Sequence, residues 1–121
     1  MEDKISIAPV KPTITIDVLE RIDIRAGTIL SAEEVAGSKK LVRLTVDFGD
    51  RSRLILSGIQ AERPDLAPLV GKQALFVVNL EPSRMAGEIS EGMLFDVGFA
   101  DGILPALAMP ERTVPNGSRA G

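Results

Sequence analysis

IDIRAGTILSAEEVAGSKKLVRLTVDFGDRSRLILSG, residues 22–58, decides the fold. It opens as one long strand, IDIRAGTILSAEEV, with Gly27 inside it where a barrel strand bends. After the loop AGSKK, the run LVRLTVDF alternates: Val42, Leu44, Val46 and Phe48 share one side, Arg43, Thr45 and Asp47 the other. That period of two marks a half-buried strand. Gly49-Asp50 then turns the chain into RSRLILSG, predicted to show Arg53 and Ser57 on a polar face opposite Leu54 and Leu56. The two runs read as a hairpin.

Outward from this stretch the pattern continues. Upstream, residues 1–16 form an arm whose first 13 residues are polar and carry Pro9 and Pro12, and Asp17-x-x-Glu20 has the form of a capping box, so a helical turn is expected at 17–21. Downstream, AERPDLAPLVG is broken by prolines and has room for one short helix. QALFVVNL is a buried strand, EGMLFDVG alternates again, and ILPALAMPERTVPNGSRAG is a proline-broken tail able to pair only at an edge. Strands recurring about every ten residues, with turn signals between them, suggest a small barrel or sandwich. The glycine bend and the helix between the third and fourth strands select an all-β OB-fold, a five-stranded Greek-key barrel with N- and C-terminal extensions. Residues 17–121 are expected to form that one domain.

Composition limits the chemistry. The 121 residues are 45% hydrophobic and 26% charged, which fits a soluble globular domain. No apolar run approaches the roughly 20 residues of a membrane span, and the N-terminus lacks a signal-peptide core, so a cytoplasmic location is expected. Histidine, cysteine, tryptophan and tyrosine are absent. Imidazole and thiolate metal sites and Ser-His-Asp or Cys-His nucleophiles are therefore excluded. No carboxylate calcium loop, P-loop or dinucleotide fingerprint occurs, so neither metal nor cofactor is expected. Glu88 and Glu91 could be cast as an acid–base pair for glycoside hydrolysis, but no aromatic platform accompanies them. They read as solvated loop carboxylates, and the chain as a non-enzyme.

The motifs DIRAGTI (23–29), VDFG (46–49), LSG (56–58), VGK (70–72), NLEPSRMAG (79–87) and SEGML (90–94) occur in the order found in the tRNA-binding domain family, which this chain resembles from about Leu19 to Val97. The tail VPNGSR is similar to that family's closing turn. The domain stands alone as a dimeric tRNA-binding protein, is fused to the C-terminus of methionyl-tRNA synthetase, and has a secretion-chaperone-like branch. The resemblance implies a homodimer that binds tRNA. It also leaves two alternatives: a module holding unfolded polypeptides at the dimer seam, or a docking subunit of an aminoacyl-tRNA synthetase. The chain departs from the family pattern twice, and at Glu81 the change reduces the charge. The first loop is VAGSKKL without His-Pro, and Glu81 stands where the family's NLKP has lysine.

Charge placement bears on the same question. The chain carries 14 basic and 17 acidic residues, a net charge of −3. Yet between Gly37 and Arg53 lie Lys39, Lys40, Arg43, Arg51 and Arg53 against only Asp47 and Asp50. In an OB barrel these map to the first loop and the face of the second and third strands, the usual oligonucleotide side; the alternative is a solvated hairpin edge. Phe48, Phe76 and Phe95 read as core rather than as stacking platforms, which favours a folded RNA over a general single strand. Within 79–98, Asn79 can tie the turn's backbone or a ribose, Arg84 can fork onto a phosphate, Ser90 can offer a hydroxyl, and Met93 can pack against a base or into the core. The resemblance implies that Asn79, Arg84, Ser90 and Met93 touch tRNA, alongside the basic face of Lys39, Lys40, Arg43 and Arg53.

Overall fold

The computed structural model describes residues 6–59 and 65–121. Its strands are β1 (Ile24–Glu34), β2 (Val42–Asp47), β3 (Ser52–Ser57), β4 (Gln73–Val77), β5 (Ser83–Met85), β6 (Glu88–Ser90), β7 (Met93–Leu94), β8 (Asp96–Val97) and β9 (Ala106–Leu107). Five of them form a curled sheet in the order β3-β2-β1-β4-β7. The first four therefore lie in the spatial order of a Greek key, with the fourth returning beside the first. This is an OB-type barrel with little helix. Where a helix is expected between the third and fourth strands, the described residues include a 3₁₀ turn, Ala67–Leu69, while residues 60–64 of that segment lie outside the described residues, as do residues 1–5 of the arm.

β1 organises the barrel because it pairs in two directions. Residues 28–34 pair with β2, and residues 24–28 pair with β4. Gly27 sits at the change of partner. A Cβ there would fall 2.6 Å from Val46 Cγ1 and 2.8 Å from Phe48 Cε1, so only glycine lets the sheet coil this tightly onto its own core. The core itself holds Ile29, Val42, Leu44, Val46, Phe48, Ile55, Ile59, Leu69, Ala74, Phe76 and Leu94. Phe48 and Phe76 meet edge to face with ring centres 5.4 Å apart.

The tail completes the sheet. Where β2 leaves β1, the edge is taken up by residues 117–120: Gly117 N–H donates to Ala26 O at 2.7 Å, Ala26 N–H to Ser118 O at 2.9 Å, and Ala120 N–H to Ile24 O at 2.8 Å. The buried Gln73 side chain holds the approach, donating to Val114 O at 2.7 Å and accepting from Val114 N–H at 3.0 Å.

Three local expectations need correction. The helical turn is α1 (Ile16–Leu19), which starts one residue early on an extended Thr15 with no side-chain cap; Glu20 becomes its C-cap, so the Asp17–Glu20 box does not form. On β3 it is Ile55, on the same face as Arg53, that enters the core. Leu56 is buried on the opposite face, so the strand is apolar on both sides and its alternation carries no phase. Near the C-terminal end, Leu94 rather than Phe95 fills the core, and Phe99 is 67% exposed. Among the described residues no helix is long and apolar enough to cross a membrane.

Candidate nucleic-acid interface

The stretch between β4 and β7 closes the barrel. β5 and β6 form a small hairpin whose turn residues, Ala86 and Gly87, both have positive φ (49° and 80°), the geometry of a two-residue turn that matches strand twist. β6 then runs into β3, but the seam is made largely by side chains. Leu56 N–H donates to the Ser90 hydroxyl at 3.0 Å, and Leu54 N–H donates to the Glu91 carboxylate at 3.2 Å. One backbone bond joins them, Glu91 N–H to Leu54 O at 2.8 Å. Gly92 follows because a Cβ there would lie 2.8 Å from Val77 O. Ser90-Glu91-Gly92 is thus a structural seam, and its serine and carboxylate stand in for strand backbone.

This places the expected contact residues differently. Ser90 is 2% exposed, and its hydroxyl is spent within the fold, accepting from Leu56 and donating to Gly92 O at 3.0 Å. The hydroxyl is therefore turned into the fold, between the Leu56 N–H and the Gly92 carbonyl. Asn79 ties backbone: it accepts from Asp23 N–H at 2.8 Å and donates to Arg21 O at 2.6 Å, fixing the chain ahead of β1 to the end of β4. Met93 is 46% exposed and borders a groove of about 730 Å³ with Leu56, Met85, Phe95 and Phe99. It belongs to the surface rather than to the core.

The basic residues divide into engaged and free. Arg43 forks onto Glu88, with Nε to Oε1 at 2.6 Å and Nη2 closing on Oε2, and also reaches Glu33 at 3.4 Å. The hydrogen bond from Arg43 holds the Glu88 carboxyl below its usual range, and Glu88 in turn raises the guanidinium. Arg53 points into the barrel mouth, donating to Val78 O at 2.7 Å and lying 5.8 Å from the Phe48 ring centre. Arg51 pairs with Glu91 at 3.5 Å. Lys39 and Lys40, in the β1–β2 loop, and Arg84, on β5, are exposed and have no ion-pair partner among the described residues. Lys39 and Lys40 precede β2, and Arg84 rides the hairpin that Arg43 holds to β2, so these free cations sit on neighbouring elements.

What the sequence did not disclose are the carboxylates. Glu88 and Glu91, read as solvated loop charges, are half-buried partners of arginines and backbone. A pairing across 45 positions, as between Arg43 and Glu88, leaves no local spacing to find. Among the described residues no group of three or more His, Cys, Asp or Glu is arranged to hold a metal.

A small OB-type barrel with free loop cations and an apolar surface groove belongs to the class of binding domains. Residues 24–119 match the sequence model of the family described as "Putative tRNA binding domain", and the chain belongs to that family. Among solved structures it is similar to a MetRS related protein from Pyrococcus horikoshii, at 32% identity over 92% of this chain and 100% of that one, with a TM-score of 0.84. It is also similar to the chaperone CsaA of Bacillus anthracis str. Ames, at 27% identity over 91% of this chain and 100% of that one, with a TM-score of 0.74. The CsaA chaperone of Picrophilus torridus matches at 26% identity over 90% of this chain and 100% of that one, with a TM-score of 0.79.

Proposed function

We propose that this chain is a cytoplasmic, non-catalytic tRNA-binding protein that acts as a homodimer, with residues 17–121 as the binding domain and residues 1–16 as an arm. Membership of the tRNA-binding family carries the reading. Lys39, Lys40 and Arg84 supply the free positive charge; Arg43 and Met93 border the same hairpin and widen the surface. With few free cations on this face, each barrel makes few phosphate contacts there, and two barrels on one RNA gain avidity. The dimer reading is supported by the exposed apolar residues of the arm and α1: Val10 is 99% and Ile16 63% exposed, with Ile14 and Leu19 beside them. Such a run of apolar side chains fits burial against a second copy.

A filter-binding titration of mixed tRNA at two salt concentrations, with single-stranded RNA as competitor, tests this. Salt-sensitive binding that survives the competitor is expected; absence of binding at low salt overturns it.

One observation favours a second reading. The open groove bordered by Leu56, Met85, Met93, Phe95 and Phe99 is mostly apolar, with Lys11, Asp96 and Asp101 also lining it, and it suits an extended polypeptide with hydrophobic side chains, as expected of a chaperone-like module. Suppression of aggregation of an unfolded protein, abolished by Phe99→Asp, would support that reading. A docking role beside a separate aminoacyl-tRNA synthetase would show instead as co-elution with such an enzyme.

A further inference from the structure

The sequence places a local excess of positive charge between Lys39 and Arg53, but the fold spends most of it. Arg43 is held by Glu88 and Glu33, Arg51 by Glu91, and Arg53 by backbone carbonyls. Of these three the Arg43–Glu88 contact alone is two-pronged, a form that Arg25 also takes on Asp23 outside this stretch. Nε and Nη2 of one guanidinium edge each meet a separate carboxylate oxygen, the two-pronged arrangement in which arginine also receives a phosphate. Both side chains remain about a quarter exposed, so the fork lies at the surface and within reach of a competitor. Glu88 directly follows the tight Ala86-Gly87 turn, and the carboxylate is therefore delivered by a short hairpin rather than by a loose chain.

We propose that Glu88 is an intramolecular stand-in for phosphate: it occupies the arginine fork that an RNA phosphate would take, and RNA binds this face by exchanging with it. The inference rests on the RNA-binding reading above and identifies Glu88 as a residue that sets affinity without touching RNA. Because the outgoing carboxylate rebinds nothing, the exchange yields less than a free arginine would. One potential phosphate contact is muted, and both the affinity and the salt dependence are correspondingly reduced. Glu33, at 3.4 Å from Nη1, touches the other arm of the guanidinium and leaves the exchanging edge alone.

The test is a tRNA titration of the full chain over a series of salt concentrations, using wild type, E88Q, R43Q and the double variant. E88Q is expected to bind about two- to fivefold tighter, the range of a surface ion pair, and to steepen the salt slope by about one. The double variant should show neither gain, which isolates the effect to Arg43. A wild type that binds tRNA, together with a folded E88Q that binds no tighter, overturns the exchange and leaves the RNA reading standing. Failure of both proteins to bind at low salt overturns the two together. Should E88Q disturb the hairpin, the Arg43 Nε–H resonance of wild type reports directly. It should shift as tRNA is added, and a fixed resonance amid other shifting interface signals overturns the proposal.

Discussion

The backbone N–H of Leu56 donates to the side-chain hydroxyl of Ser90 at 3.0 Å, so one strand edge of the barrel is sealed by a side chain where another strand's carbonyl would ordinarily serve. Ser90→Ala therefore strands a buried donor, at a cost of about 1–3 kcal/mol. Urea unfolding should show that loss, while tRNA affinity measured well below the melting temperature stays at the wild-type value. A drop in affinity without a drop in stability would return Ser90 to the contact surface.

Gly27 makes a second stability prediction. A methyl group there meets Val46 and Phe48 at well under van der Waals distance, and overpacking of this kind costs about 1–3 kcal/mol. Gly27→Ala should lower the denaturation midpoint and broaden the signals of Phe48 and Phe76 as their edge-to-face contact shifts.

For binding, the free cations should matter more than the engaged ones. Arg84→Glu and the pair Lys39→Glu with Lys40→Glu should weaken binding to all tRNAs alike and flatten the salt slope by about one for each phosphate left without its cation. Arg53→Gln should instead register mainly in stability, because its guanidinium caps Val78 O inside the barrel mouth. Equal weakening by Arg53→Gln and Arg84→Glu would show that the barrel mouth also meets RNA.

Acid should loosen the fold in a defined window. The hydrogen bond from Arg25, with Arg119 nearby, holds the Asp23 carboxyl below its ordinary range, as Arg43 does for Glu88. Both groups bind protons less readily folded than unfolded, so their stabilisation is complete above the ordinary carboxylate range and is lost as pH falls through it. The urea midpoint should be level between about pH 5 and 8 and decline below about pH 4. Asp23→Asn and Glu88→Gln should each make that decline shallower.

The subunit arrangement is open to a direct check. Leu19→Asp places a charge among the exposed apolar residues of α1 and should convert a dimer to a monomer in sedimentation velocity, with the barrel's circular dichroism retained. A monomeric wild type would remove the avidity argument.

How far the sequence reached depended on whether the signal was local. β1, β2 and β4 are legible because alternation and continuous apolar runs are short-range patterns, and Gly27 because a glycine amid a strand has few other uses. β3 misleads because Leu54, Ile55 and Leu56 are all apolar, and a run without polar punctuation does not say which residue points inward. The same limit hides the site. Arg43 and Arg53 carry the same charge ten residues apart, yet one lies on the sheet surface under a carboxylate and the other caps a carbonyl in the barrel mouth. Ser90 is recognisable as a motif residue, but its duty is set by a partner 34 positions away.

The seam between β1 and the tail has a consequence for how the chain comes to be folded. Arg25 and Gly117 are bonded across 92 positions, and the central strand has no complete set of partners until residues 117–120 are present. Contacts of such sequence separation slow folding, because a large loop must close before it is rewarded. During synthesis, then, the barrel strands would wait with one edge of β1 open, the condition under which a nascent sheet is most prone to pair with a neighbour. The closing tetrapeptide is the step that ends that exposure.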